Sequence, residues 1–141
     1  MATNPIKVLI IEDNPVHASV LKYSLSESTA PLFVVRTAEK LSDGLQQLTD
    51  SGDGSIDVVL LDLVLPDSED LETFLRVHTK APHVPVVILT NVDDIHVAKR
   101  AVELGAQDYL LKTEVHQASL RKSLEHSIER MRARNQGRDS E

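Results

Sequence analysis

The sequence predicts an α/β fold in which five parallel strands form one sheet wrapped by helices on both faces, a doubly wound arrangement. Three observations carry that prediction. Short continuous apolar runs, several rich in Val and Ile, have the texture of strands buried on both faces. Between them lie segments whose apolar residues recur at helical spacing. The two textures alternate along the 141 residues in the order βαβαβαβαβα, which calls for right-handed crossovers and a parallel sheet.

The first strand is read over Lys7 to Ile11. Asn14-Pro15 then supplies an N-cap and a proline at the first helical position, and Ala18, Leu21 and Leu25 mark the buried stripe of the helix that follows. Leu32 to Val35 is the second strand, and Leu41, Leu45 and Leu48 define the second helix. Ser51 to Ser55, with two glycines, reads as a loop before the third strand, Ile56 to Leu61. The third helix carries Leu71, Phe74 and Leu75, and the fourth strand is Val86 to Leu89. Ile95, Ala98, Ala101 and Val102 space the fourth helix, which Gly105 ends as a C-cap glycine would. Tyr109 to Leu111 is the fifth strand. Leu120, Leu124, Ile128 and Met131 form the seam of a last helix that runs to about Arg134, longer than the sheet requires. Residues 1–134 are therefore expected to form one domain with an extended last helix, and 135–141 a frayed polar tail.

Composition narrows the function classes. With no cysteine, a disulfide framework, a thiolate zinc site, an iron-sulfur cluster and a cysteine nucleophile are excluded. No apolar run approaches the roughly 20 residues of a membrane span, and the start of the chain lacks the layout of a signal peptide, so a cytoplasmic protein is expected. The net charge of −7 argues against general nucleic-acid binding, because phosphate contacts supply most non-specific affinity. Residues 117–141 are the exception, with six basic against four acidic side chains. That end reads as a solvated helix tail suited to the helix dipole, or as a seam that forms a homodimer or docks a partner. The six histidines show no close ligand spacing and are assigned to surface roles.

In open parallel sheets the functional crevice lies beyond the carboxyl ends of the strands, so the residues at which the apolar runs stop are the informative ones. They are Glu12 and Asp13 after the first strand, Asp62 after the third, Thr90 after the fourth and Lys112 after the fifth. Three carboxylates on one rim repel unless a cation lies among them, and an all-oxygen set suits Mg²⁺ or Mn²⁺. Lys112 and the Thr90 hydroxyl complement an anion. Together these are the parts of a phosphoryl transfer in which a carboxylate attacks in line and becomes an acyl phosphate. Asp62, at the end of the central strand, is the candidate nucleophile, with Glu12 and Asp13 as metal ligands. Taken singly, each residue has a plainer reading: a helix-capping acidic pair, a solvated lysine, a strand threonine.

These residues lie in motifs that resemble the receiver domain of two-component response regulators, over roughly Ile6 to Met131. The motifs are Val8-Leu9-Ile10-Ile11-Glu12-Asp13-Asn14, Val58-Val59-Leu60-Leu61-Asp62-Leu63-Val64-Leu65-Pro66-Asp67, Val86-Val87-Ile88-Leu89-Thr90 and Gly105-Ala106-Gln107-Asp108-Tyr109-Leu110-Leu111-Lys112. The resemblance implies a flavodoxin-like sheet of order 2-1-3-4-5. It also implies Mg²⁺-dependent phosphorylation of Asp62 by a histidine kinase or phosphotransfer protein, with the backbone carbonyl of Val64 completing the metal site. Tyr109 would move inward as Thr90 follows the phosphoryl group, altering the face formed by the fourth helix, fifth strand and fifth helix for a downstream protein target. The expected protein is a stand-alone, single-domain switch rather than a metabolic enzyme.

The sequence departs from the family pattern at three points. Lys112 precedes Thr113 where a proline is usual, Asn91 follows the switch hydroxyl where a small residue is usual, and Ser68-Glu69-Asp70 lacks the usual glycine. With Asn91 crowding the site and neither Val64 nor Val92 able to orient a water, slow self-dephosphorylation is expected. Three alternatives remain. A haloacid dehalogenase-type phosphatase needs a second aspartate that Asp62-Leu63-Val64 does not supply, and a flavodoxin-like cofactor carrier would place phosphate against Glu12-Asp13. A degenerate receiver acting only as a phosphorylation-independent interaction module would not need the full acidic, hydroxyl and lysine set.

Overall fold

The computed structural model describes residues 5–26, 32–50, 55–115 and 117–139, with residues 136–139 and Gln117 described by backbone alone. In chain order the elements are β1 (Ile6–Ile11), α1 (Pro15–Ser24), β2 (Phe33–Ala38), α2 (Leu41–Asp50), β3 (Val58–Asp62), β4 (Val64–Leu65), β5 (Ser68–Glu69), α3 (Asp70–Lys80), β6 (Val86–Thr90), a 3-10 turn (Val92–Asp94), α4 (Ile95–Glu103), β7 (Asp108–Leu111) and α5 (Gln117–Asp139). One parallel sheet has the order β2-β1-β3-β6-β7, which is 2-1-3-4-5 when only its own strands are counted. Most of the expected loop at Ser51 to Ser55 lies outside the described residues.

The continuous apolar runs behave as their texture requires. All five residues of β3 and of β6 are buried, because these central strands are covered on both faces. Alternate strand residues divide between two cores. Leu9, Ile11, Val59, Leu61 and Ile88 pack with Phe74, Val77, Ala98 and Ala101 from α3 and α4. Val8, Ile10, Val58, Leu60, Val87 and Leu89 pack with Leu21 and Leu25 on one side and Leu120, Leu124 and Ile128 of α5 on the other.

Local chemistry fixes the element ends. The Asn14 side chain accepts from Val16 N at 2.9 Å and His17 N at 3.3 Å, so α1 starts directly beyond the acidic pair Glu12-Asp13. Gly105, at φ +130°, ends α4 in a Schellman arrangement, with Ala106 N donating to Ala101 O and Gly105 N to Val102 O. Gly44 lets α2 lie close on β1, since a Cβ there would run into the Ile11 side chain.

Two sequence expectations change. The short β4–β5 hairpin after Asp62 was not expected. The helix expected to stop near Arg134 continues to Asp139, so much of the proposed frayed tail is helical. Apolar periodicity does not extend that far, but backbone hydrogen bonding continues without it. Within the protomer, Leu120, Leu124, Ile128 and Met131 of the seam are all buried.

Candidate functional site

The carboxyl ends of β1, β3 and β6, together with the residue after β7, meet at one rim. Glu12 continues β1 by donating its backbone N–H to Ala38 O, and the residue is 1% exposed. Asp62 is the last residue of β3 and is 6% exposed. Asp13, one residue on, is exposed, and one oxygen from each of these three carboxylates lies within 4.8 Å of the others. Lys112 Nζ reaches Asp62 Oδ2 at 2.7 Å and Glu12 Oε2 at 3.2 Å. The other Asp62 oxygen, Oδ1, accepts from Val64 N at 3.0 Å. Thus four of the predicted residues form one cluster, and Val64 joins it through its amide.

Thr90, buried at the end of β6, directs its hydroxyl to the Asn91 carbonyl at 3.1 Å rather than to a carboxylate. Its own carbonyl accepts from Lys112 N at 2.9 Å, so the hydroxyl and the lysine are joined through one backbone bond. Tyr109 is half-buried on β7, opposite Ile88 in the sheet register, and packs against the core that α3 and α4 share.

The electrostatics show unbalanced negative charge. Burial first, and then the hydrogen bond and charge of the neighbouring Asp62, push the Glu12 carboxyl up to about 8 against the opposing charge of Lys112. Lys112 is held above its ordinary value: desolvation works against the ammonium, but the hydrogen bond and charge of Asp62 outweigh it, with Glu12 adding to them. Glu12 Oε2 is buried without a hydrogen bond of good geometry. An all-oxygen acidic set with one buried oxygen lacking a hydrogen bond fits a small hard dication such as Mg²⁺ or Mn²⁺.

The loop after Asp62 is anchored by contacts that sequence spacing does not reveal. Thr73 Oγ1, buried on α3, donates to Leu63 O at 2.9 Å and meets Ser68 Oγ at 2.9 Å. Asp70 adopts φ +58°, so the backbone takes here the left-handed conformation that a glycine adopts most readily and that an aspartate tolerates. Two histidines make specific contacts: His17, about half exposed, has Nδ1 3.2 Å from Glu12 Oε1, and His78 stacks on Phe74 at 5.3 Å. The placement of His17 follows from Asn14 capping α1, which turns the first helical residues back over the rim.

Residues 8–125 match the sequence profile described as the response regulator receiver domain. The chain belongs to that family. A receiver domain protein from Clostridium thermocellum superposes with a TM-score of 0.79 at 29% identity, over 91% of this chain and 98% of that one. The transcriptional activator protein IrlR of Burkholderia pseudomallei is 33% identical over 107 residues, which are 76% of this chain and 44% of the relative. The transcriptional regulatory protein ZraR of Klebsiella oxytoca is 29% identical over 112 residues, 79% of this chain and 24% of the relative. The receiver therefore spans about a quarter to a half of the length of these two curated relatives. Receiver domains are signalling switches that bind Mg²⁺ at an acidic pocket and interact with histidine kinases or phosphotransfer proteins. Among the described residues of this receiver, no helix is long and apolar enough to cross a membrane.

Proposed function

We propose that this receiver accepts a phosphoryl group on Asp62 from a phosphohistidine of a sensor kinase or phosphotransfer protein. The observation that carries the reading is Lys112 Nζ at 2.7 Å from Asp62 Oδ2, inside a cluster of three converging carboxylates. An Asp62 carboxylate oxygen attacks phosphorus as the donor's N–P bond breaks, and the bonding pair stays on the imidazole nitrogen. An acyl phosphate and a free histidine result. Hydrolysis by water then returns the carboxylate and releases phosphate.

Each side chain has a distinct part. The Val64 amide and Lys112 hold the two Asp62 oxygens, which orients the carboxylate before transfer. Glu12, Asp13, Asp62 and the Val64 carbonyl are the residues that would hold Mg²⁺, which when bound supplies charge neutralisation for the transferred phosphoryl oxygens. After transfer, Lys112 and the Thr90 hydroxyl donate to those oxygens, and Thr90 leaves the Asn91 carbonyl to do so. Because Lys112 N bonds to Thr90 O and β6 pairs with β7, the change is carried to Tyr109 and to the face of α4, β7 and α5, where a downstream protein reads it.

The phosphodonor approaches beside α1. Val16, Val20 and Tyr23, at i, i+4 and i+7, are 67%, 58% and 80% exposed and form an apolar stripe leading away from the rim. Release of the phosphoryl group is slow, because Val64 and Val92, both exposed near the site, have no group to orient a water. The test is intact-mass spectrometry after incubation with Mg²⁺ and a small acyl-phosphate donor. The native chain should gain one phosphoryl group only when Mg²⁺ is present, persisting for minutes or longer, and Asp62→Asn should gain none. An adduct on the variant would overturn the assignment, and decay within seconds would overturn the slow release.

A further inference from the structure

At the end of the sheet opposite the acidic rim lies a cleft of about 640 Å³, within the range of sites that take small organic molecules. It opens where the chain enters β3 and β6, and residues 128–135 of α5 form its other wall. The floor is apolar: Ile56, Ile128 and Met131 line it and are themselves buried. The rim carries Lys80 at the end of α3, His83 in the following loop and Arg132 on α5, all exposed. Among the described residues, none of these three makes a hydrogen bond or ion pair within the chain. Among the described residues lining the cleft the one carboxylate, Asp57, accepts the Lys7 amide at 2.8 Å. In a chain of net charge −7, two permanent cations and an imidazole around an apolar floor form a local reversal of sign.

We infer that this cleft binds a small amphipathic organic anion, with its apolar body on Ile56, Ile128 and Met131 and its carboxylate, sulfonate or phosphate between Lys80 and Arg132. The apolar body supplies burial, and the paired cations select the charged head. The extension of α5 past the sheet has a use in this arrangement. Met131 and Arg132, in the same turn, supply one floor residue and one rim cation.

The test is a titration of the isotope-labelled full chain with 2-naphthoate, followed by amide chemical shifts. For an aryl carboxylate of this size the expected dissociation constant is on the order of 1 mM, with the largest shifts at Ile56, Val84, Ile128 and Met131. Binding should weaken roughly tenfold for 2-naphthalenemethanol, which lacks the charge, for acetate, which lacks the body, and in the Lys80→Glu, Arg132→Glu double variant. Both substituted side chains are exposed, and the variant's spectrum reports that its fold is retained. Asp62→Asn should bind the probe as the native chain does, which separates this site from the phosphoryl chemistry. Absence of cleft shifts up to about ten times that constant, equal binding of the alcohol, or indifference to charge reversal would overturn the inference.

Discussion

Replacing Asp67 tests how the loop beside the acidic site is tied to the rest of the fold. Helix α2 begins after Lys40, whose carbonyl accepts from Gly44 N but whose side chain has no acceptor to cap the first turn. Asp67, 26 residues from Leu41, does so from across the loop: its two oxygens accept from Leu41 N at 2.8 Å and Ser42 N at 2.9 Å. Losing a capping side chain costs about 1 kcal/mol, and losing an anion at a helix N-terminus costs about 0.3–1 kcal/mol more. Asp67→Ala should therefore lower stability by about 1–2 kcal/mol in urea unfolding at pH 7. Asp67→Asn keeps an acceptor and should lose only the smaller, charge-dependent part. The pH dependence has a fixed sign. Desolvation opposes ionisation, but the hydrogen bonds from Ser42 and Leu41 together outweigh it and hold the carboxyl below its ordinary 3.8. The stabilisation is thus complete above that ordinary value and is lost as pH falls through the lowered one in the folded state. The difference between the native chain and Asp67→Asn should be constant from pH 7 to about pH 5 and shrink in stronger acid. Equal stability of Asp67→Ala and the native chain at pH 7, or a difference that grows in acid, would refute this reasoning.

Three further substitutions probe the scaffold by urea unfolding. Gly44→Ala gains helix propensity of about 1 kcal/mol but forces the fully buried Ile11 to move, so a net loss of about 0.5–2 kcal/mol is expected, partly recovered by adding Ile11→Val. Asp70→Gly should leave stability unchanged or raise it, whereas Asp70→Val should cost about 1–2 kcal/mol because its φ of +58° suits only residues that tolerate the left-handed region. Thr73→Val keeps the shape but leaves the Leu63 carbonyl without its buried donor, and should cost about 1–2 kcal/mol.

Much of the candidate site is legible in the sequence because a parallel strand buried on both faces must end where polar residues begin. Asp62 and Thr90 stand at those ends, and Glu12 and Lys112 directly follow them. The same logic makes Asn14-Pro15 and Gly105 readable, since their caps use only neighbouring backbone groups. What escapes is long-range or too short to show a period. The β4–β5 hairpin has two residues per strand, fewer than any alternation can mark. The Asp67 cap joins positions 26 apart, and His17 meets Glu12 only because α1 folds back over the rim. The seam of α5 shows the converse difficulty: its period identifies a helix face, but only the structure shows Leu120, Leu124 and Ile128 packed against the protomer's own sheet.

The most direct measurement of the central claim is borohydride trapping of the phosphorylated chain. Reduction converts an aspartyl phosphate to homoserine, and peptide mass spectrometry locates the converted residue. Conversion at position 62 alone, dependent on Mg²⁺ and strongly reduced in Lys112→Met, is the predicted result. Homoserine at position 12 or 13, or at any other carboxylate while Asp62 stays intact, would contradict the account.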